Sequence, residues 1–130
     1  MLKVLETLDI ATVEQVRKSA LGCGLDAHDS FSWHALLTEE GEPLGEGRFY
    51  REGQALVIDR IALLKPCMAH RELLFRTLLL KASVQNPERI FVVPQFEEAY
   101  YRQFGLAPEG DRLSVIPADV RFPSECGHGK

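Results

Sequence analysis

From Ala55 to Leu64 the chain is β-branched or aliphatic apart from Asp59 and Arg60, which predicts a buried strand, and Pro66 cannot continue a ladder. Leu73, Leu74, Phe75, Leu78, Leu79 and Leu80 then recur at helical spacing, which predicts an apolar helix over Ala69 to Ser83 stopped by Asn86 and Pro87. Upstream, Leu2 to Leu8 alternate as a first strand. Thr12 with Gln15 three residues on is a capping-box pattern, and Val13, Val16 and Ala20 form a helical stripe that Gly22 and Gly24 end. The polar stretch Leu25 to Ser30 is expected to be a loop. Phe31 to Thr38 and Pro43 to Arg51 predict hairpin strands around EEGE, and Glu52 with Gly53 turns the chain into the Ala55 strand. Further on, Ile90 to Val93 predicts a short central strand, Phe96 to Phe104 a short helix ending at Gly105, and Leu113 to Ile116 a closing strand.

At 130 residues the expectation is one domain, residues 1–117, with a tail over 118–130. A net charge of −4 argues against nucleic acid as a partner, because phosphate neutralisation needs a concentrated basic face. MLKVLETLDI is too short and too charged for a signal peptide, and no apolar run reaches membrane-spanning length, so a cytoplasmic protein with no membrane partner is the default expectation. Cys23, Cys67 and Cys126 have no C-x-x-C spacing and are read as free thiols. The tail element CGHGK offers two soft ligands where a structural zinc needs four, so no metal is expected.

The hairpin HALLTEEGEPLGEGRFYREG, the strand end IALLKP, the helix HRELLFRTLLLKA and the late segment YRQFGL follow one another between about Ser32 and Leu106, most of the chain. Together they resemble the GNAT N-acetyltransferase superfamily. In that family a hairpin of pattern dg.pvGtgR leads to a strand ending A-V-x-P, a helix opened by an R/Q-x-x-G-x-G/A loop, and a Y-x-x-x-G-F segment. The resemblance implies an α/β fold with a mixed, mostly antiparallel sheet, helices on both faces and a parallel β-α-β core. The strands through Ile58 to Leu63 and Ile90 to Val93 should then be adjacent and parallel, with the largest cleft between their C-terminal ends beside Tyr101. The sequence departs from the family at one place: no glycine lies between Gly53 and Gly105. Anchored on Leu78 and Leu79, the loop pattern puts Leu73 and Phe75 at the glycine positions and His70 at the Arg/Gln position; anchored on Pro66, everything moves back by one residue.

The function implied is direct transfer of an acetyl group from acetyl-coenzyme A (acetyl-CoA) to an amine of a small molecule or protein. The alternative is a catalytically degenerate binding or regulatory module of the same fold. By the resemblance, the backbone of Ile61, Ala62 and Leu63 holds the acetyl carbonyl and pantetheine, and Ala69, His70, Arg71, Glu72, Leu73 and Leu74 stand where the loop receives the phosphates. Tyr101 matches the tyrosine of Y-x-x-x-G-F, whose phenol, with an ordinary pKa of about 10, is protonated and able to serve the departing sulfur as acid. Without the resemblance, Tyr100 and Tyr101 read as packing residues of a short helix. Asp59 lies near the family's usual glutamate base and Glu46 is the other candidate; Asp59 otherwise reads as an ion-pair partner of Arg60, Arg48 or Arg51. Lys65, His70 and Arg71 oppose a helix dipole unless an anion offsets them. Bulky Leu73 and Phe75 would hold phosphates away, so weak binding is expected, and exchanging both for glycine should tighten it while costing helix stability of about 1 kcal/mol each. His34, beside Trp33 on the hairpin, has no ligand partner at useful spacing and reads as structural. The apolar residues of the long helix exceed one stripe, so a homodimer or the C-terminal tail is expected to cover its outer side.

Overall fold

The computed structural model describes residues 1–123; CGHGK, residues 126–130, lies outside them. Seven strands form one sheet: β1 (Leu2–Glu6), β2 (Trp33–Glu39), β3 (Glu42–Glu52), β4 (Ala55–Leu63), β5 (Arg89–Val92), β6 (Ala107–Glu109) and β7 (Arg112–Val115). Their order is β1-β2-β3-β4-β5-β7-β6. Every neighbouring pair is antiparallel except β4 and β5, which run parallel from Ala55 opposite Arg89 to Ile58 opposite Val92. Parallel neighbours need a crossover, and α2 (Met68–Ser83) supplies it. The expected parallel β-α-β core inside a mixed sheet is therefore present. The β2–β3 hairpin closes through Glu40 and Gly41, both with positive φ (52° and 84°), a two-residue turn whose twist suits antiparallel strands.

Helices cover both faces of the sheet. Successive β3 side chains point to opposite sides. Glu46 and Arg48 meet α1 (Ile10–Leu21) and the segment after it, whereas a Cβ on Gly47 would come within 2.7 Å of Leu78 on α2. Beneath α2, Leu74, Phe75, Leu78, Leu79 and Ala82 pack on Phe49, Leu56, Ile58, Ile61, Ile90 and Val92 and join the aromatic group Tyr100, Tyr101 and Phe104.

Four local features differ from the sequence expectation. Helix α1 starts at Ile10, because Asp9 rather than Thr12 is its cap: the Asp9 carboxylate accepts from the Thr12 amide (3.1 Å) and hydroxyl (2.6 Å). The stretch expected as a loop contains a 3-10 helix, Ala27–Phe31, held by a reciprocal capping box between Asp26 and Asp29. Helix α3 is short, Glu98–Arg102. Strand β6 was not expected; its three residues are all exposed and include Pro108, so no alternation marks it.

Residues 117–123 lie against the body of the fold. A 3-10 helix spans Pro117–Asp119, the Arg121 amide donates to the Phe104 carbonyl (2.9 Å), and Arg76 donates to the Pro123 carbonyl (2.6 Å). Gly105 makes this docking possible: its φ is +95°, and a Cβ there would lie 2.5 Å from the Asp119 carbonyl oxygen. Further along the outer side of α2, Leu80 and Val84 remain exposed. Among the described residues no helix is long and apolar enough to cross a membrane.

Candidate functional site

The site begins where β4 leaves β5. Arg48 pairs with Arg60 and Phe49 with Ile58, so Asp59 is an extra residue, a bulge that bends the strand. The last rung to β5 is the Val93 amide donating to the Ile58 carbonyl (3.0 Å), and Pro94 has no N–H to extend the ladder. Beyond this point β4 continues without its neighbour, and its backbone groups on that side need other partners. Those of Ile61 are taken by one side chain. The Ile61 amide donates to Gln95 Oε1 (2.7 Å), and Gln95 Nε2 donates to the Ile61 carbonyl (3.0 Å). Two residues on, Leu63 points its amide and carbonyl the same way, because antiparallel rungs alternate with a period of two.

Leu63 opens on a groove of about 320 Å³ whose other walls are Pro66, Cys67, Met68, Arg71 and Phe96. Its floor is the first turn of α2. Cys67, the residue before the helix, gives no side-chain cap, so the amides of Met68, Ala69 and His70 lack helical partners and carry the positive end of the helix dipole. Arg71 adds a full charge between two aromatic rings, 4.5 Å from the centre of Phe96 and 4.4 Å from that of Tyr100, and pairs with exposed Glu97 at 3.3 Å. An anion therefore has donors at one end of the groove, and an extended chain bearing amides has backbone partners at the other.

Tyr101 stands one layer behind this groove. Its hydroxyl accepts from the Gln95 amide (3.0 Å), its ring stacks on Phe96 with centres 6.1 Å apart, and it is 1% exposed. Burial pushes the phenol above its ordinary value despite the amides of Gln95 and Phe96, so the group stays protonated.

On the opposite face of the bulge lies a closed ionic network. Arg48, fully buried, spends all five donors: Nε and Nη2 on Asp59 (2.8 and 2.9 Å), Nη1 and Nη2 on Asp26 (2.7 and 3.0 Å), and Nη1 on Asp29 (2.8 Å). Arg17, equally buried, does the same with Asp29 (2.7 and 2.9 Å), Glu46 (3.0 and 3.2 Å) and the Gly24 carbonyl (3.4 Å). Burial alone would raise the Asp29 carboxyl, but Arg17, the Asp26 amide and Arg48 hold it far below the usual range. For Glu46 burial prevails over Arg17 and the carboxyl is pushed up. His34 Nε2 lies 2.9 Å from the Asp29 carbonyl, which makes His34 part of the same support.

These placements sort the expected residues. Leu63 and Arg71 line the groove, Ala69 lines the neighbouring larger cavity, His70 follows it in the first turn of α2, and the backbone of buried Ile61 is bonded by Gln95. Ala62 and Leu74 are fully buried, the His70 ring is buried with an unpartnered Nδ1, and Glu72 turns away to accept from Tyr100 (3.0 Å) and Arg76 (3.2 Å). Both candidate bases have their oxygens occupied, Asp59 by Arg48 and Glu46 by Arg17. Two expectations need correction. The groove is not the largest cleft: a larger cavity of about 570 Å³ adjoins it at Met68 and is lined also by Ala69, Glu72, Leu73, Leu2 and Gln103. Nor does Phe75 stand at a phosphate loop. It lies seven residues, about 10 Å, into α2 and is wholly buried.

Of the network, sequence reasoning offered only the Asp59–Arg48 pair, which is present; Arg17, Asp26 and Asp29, and Gln95 at the groove, were missed. Gln95 is an ordinary post-strand residue whose partner is 34 positions away, so nothing local marks it. Arg17 did carry a signal: with Val13, Val16 and Ala20 it completes an i, i+3, i+4, i+7 stripe, which puts a charge on the buried side of α1.

No family model and no curated protein sequence matches the chain. Solved structures do. A GNAT family acetyltransferase from Brucella melitensis, in complex with acetyl-CoA, is 15% identical, with a TM-score of 0.68 over 89% of this chain and 88% of that one. A Bacillus subtilis acetyltransferase in complex with CoA is 12% identical, with a TM-score of 0.72 over 89% and 99%. The ribosomal-protein-S18-alanine N-acetyltransferase of Escherichia coli is 14% identical, with a TM-score of 0.66 over 96% and 97%. The chain has the GNAT acetyltransferase fold.

Proposed function

We propose that the chain binds acetyl-CoA along β4 and the first turn of α2 and passes the acetyl group directly to an amine of a small molecule or protein. The observation that carries this reading is the parting of β4 from β5 at the Asp59 bulge, just before a helix start whose amides have no cap. The fold neighbours in complex with acetyl-CoA or CoA support it. The thioester supplies an activated acyl group. The Leu63 backbone aligns the pantetheine chain, the amides of Met68, Ala69 and His70 receive the phosphates, and Arg71 adds charge beside them. As the amine nitrogen attacks the carbonyl carbon and the carbon–sulfur bond breaks, the departing thiolate takes a proton from solvent in the open groove and the proton lost by the amine goes to solvent; Tyr101, expected as the acid, stands 1% exposed behind the groove with its hydroxyl on the Gln95 amide.

A second reading, a binding or regulatory module without turnover, is favoured by one observation: Asp59 and Glu46, the two carboxylates near the bulge expected as bases, are both committed to arginines. Calorimetry combined with an acetylation assay over a panel of amines separates the readings. Without glycines to let phosphates approach the backbone closely, acetyl-CoA should bind with a Kd of about 100 μM or weaker, roughly 5.5 kcal/mol at most, and more weakly as salt rises. Binding with turnover supports the enzyme, binding without turnover supports the module, and no binding at millimolar ligand removes the cofactor assignment.

A further inference from the structure

Gln95 makes with Ile61 the pair of bonds that a second strand would make. One amide oxygen takes the Ile61 N–H at 2.7 Å and one amide N–H reaches the Ile61 carbonyl at 3.0 Å. A primary side-chain amide thus stands where the peptide unit of a neighbouring chain belongs. The backbone carrying it is fixed independently, since the Gln95 N–H donates to Tyr101 at 3.0 Å and Pro94 precedes it. The residue itself is exposed. The side chain is therefore able to rotate into solvent without moving the main chain or opening the core. Among the described residues no side chain makes such a pair with Leu63, which borders the groove directly.

We propose that Gln95 is a gate: in the free protein it closes the Ile61 backbone position that the resemblance assigns to pantetheine, and an incoming linear ligand must displace the glutamine to pair there. The proposal rests on the acetyl-CoA reading above, with pantetheine as the amide-bearing chain. Gln95 then acts as an internal competitor. It weakens ligands that reach into the slot and leaves alone those that stop at the helix start.

The test compares the wild type with Gln95→Ala, and with Gln95→Ser as a second variant too short to reach Ile61, by calorimetry with acetyl-CoA and with 3′,5′-ADP, which has no pantetheine. Hydrogen exchange at the Ile61 amide is followed in parallel. Both variants should exchange Ile61 faster in the free state, recover protection when acetyl-CoA is added, and bind acetyl-CoA about tenfold more tightly, the size of one net hydrogen bond or two weak ones. Affinity for 3′,5′-ADP should not change. Equal acetyl-CoA affinity in wild type and variants would overturn the gate and leave the acetyl-CoA reading standing. Weaker binding by the variants would also overturn it, making Gln95 a ligand contact. Failure of every form to bind acetyl-CoA at millimolar concentration would remove the reading and the gate together.

Discussion

Arg48→Ala should cost about 3–5 kcal/mol of folding stability, a large part of the roughly 5–15 kcal/mol that holds a typical domain together. The guanidinium is fully buried and is the cation shared by Asp26, Asp29 and Asp59. Removing it leaves three carboxylates facing one another, with Arg17 on Asp29 and partly exposed Arg60 on Asp26 as the remaining arginine partners among the described residues. The loss should depend on pH in a defined direction. Hydrogen bonding to Arg48 holds Asp26 below its ordinary value, and Arg17, the Asp26 amide and Arg48 together overcome burial to hold Asp29 low. Groups depressed in the folded state contribute fully above their unfolded pKa, near 4, and lose that contribution as pH falls through the folded value. Urea unfolding at pH 7 should therefore show the full gap between wild type and variant, and the gap should narrow below about pH 4. A gap that widened in acid would contradict the account.

Phe75→Gly should be at least as costly. Its ring packs against Tyr100, Tyr101 and Phe104 with centres 5.8, 5.4 and 5.0 Å away, and nothing of it reaches solvent. Truncating a buried phenylalanine costs about 3–5 kcal/mol, and glycine inside a helix adds about 1 kcal/mol. The sequence pattern led to the opposite expectation, that glycines at 73 and 75 would bring phosphates closer. In the fold, Leu73 borders the larger cavity on α2 and Phe75 is core. Thermal unfolding followed by circular dichroism should show a collapse in stability with no gain in acetyl-CoA affinity; a stable variant with tighter binding would restore the loop registration.

What the sequence revealed was the part of the fold written as periodicity. The β4 run, the α2 stripe and the β5 run were legible because each is a continuous apolar pattern bounded by Pro66 and by Asn86 with Pro87, and their parallel pairing follows from the crossover between them. Short elements held by polar chemistry were not legible. The 3-10 helix at Ala27–Phe31 is held locally by the Asp26–Asp29 capping box, but Asp29 is buried only because Arg17 and Arg48, from α1 and β3, meet it there. The site was legible at the level of its strand and helix but not of its details. Ile61 and Leu63 were placed correctly on β4 because backbone groups on a strand follow from register. Gln95 was invisible because its role depends on how far two strands diverge, which is a property of the Asp59 bulge and of Pro94 rather than of any residue pattern.

In the proposed site the outward backbone of β4 and the uncapped start of α2 together hold acetyl-CoA. Titrating isotopically labelled protein with acetyl-CoA and following backbone amide resonances tests it most directly. Saturable shifts are expected at Leu63, Cys67 and Arg71, which border the groove alone, together with Met68, Ala69 and His70, and the Ile61 amide should join them as Gln95 is displaced. Shifts confined to the residues of the other cavity, Leu2, Met68, Ala69, Leu73 and Gln103, with Leu63 and Arg71 unmoved, or none at millimolar ligand, would rule the site out.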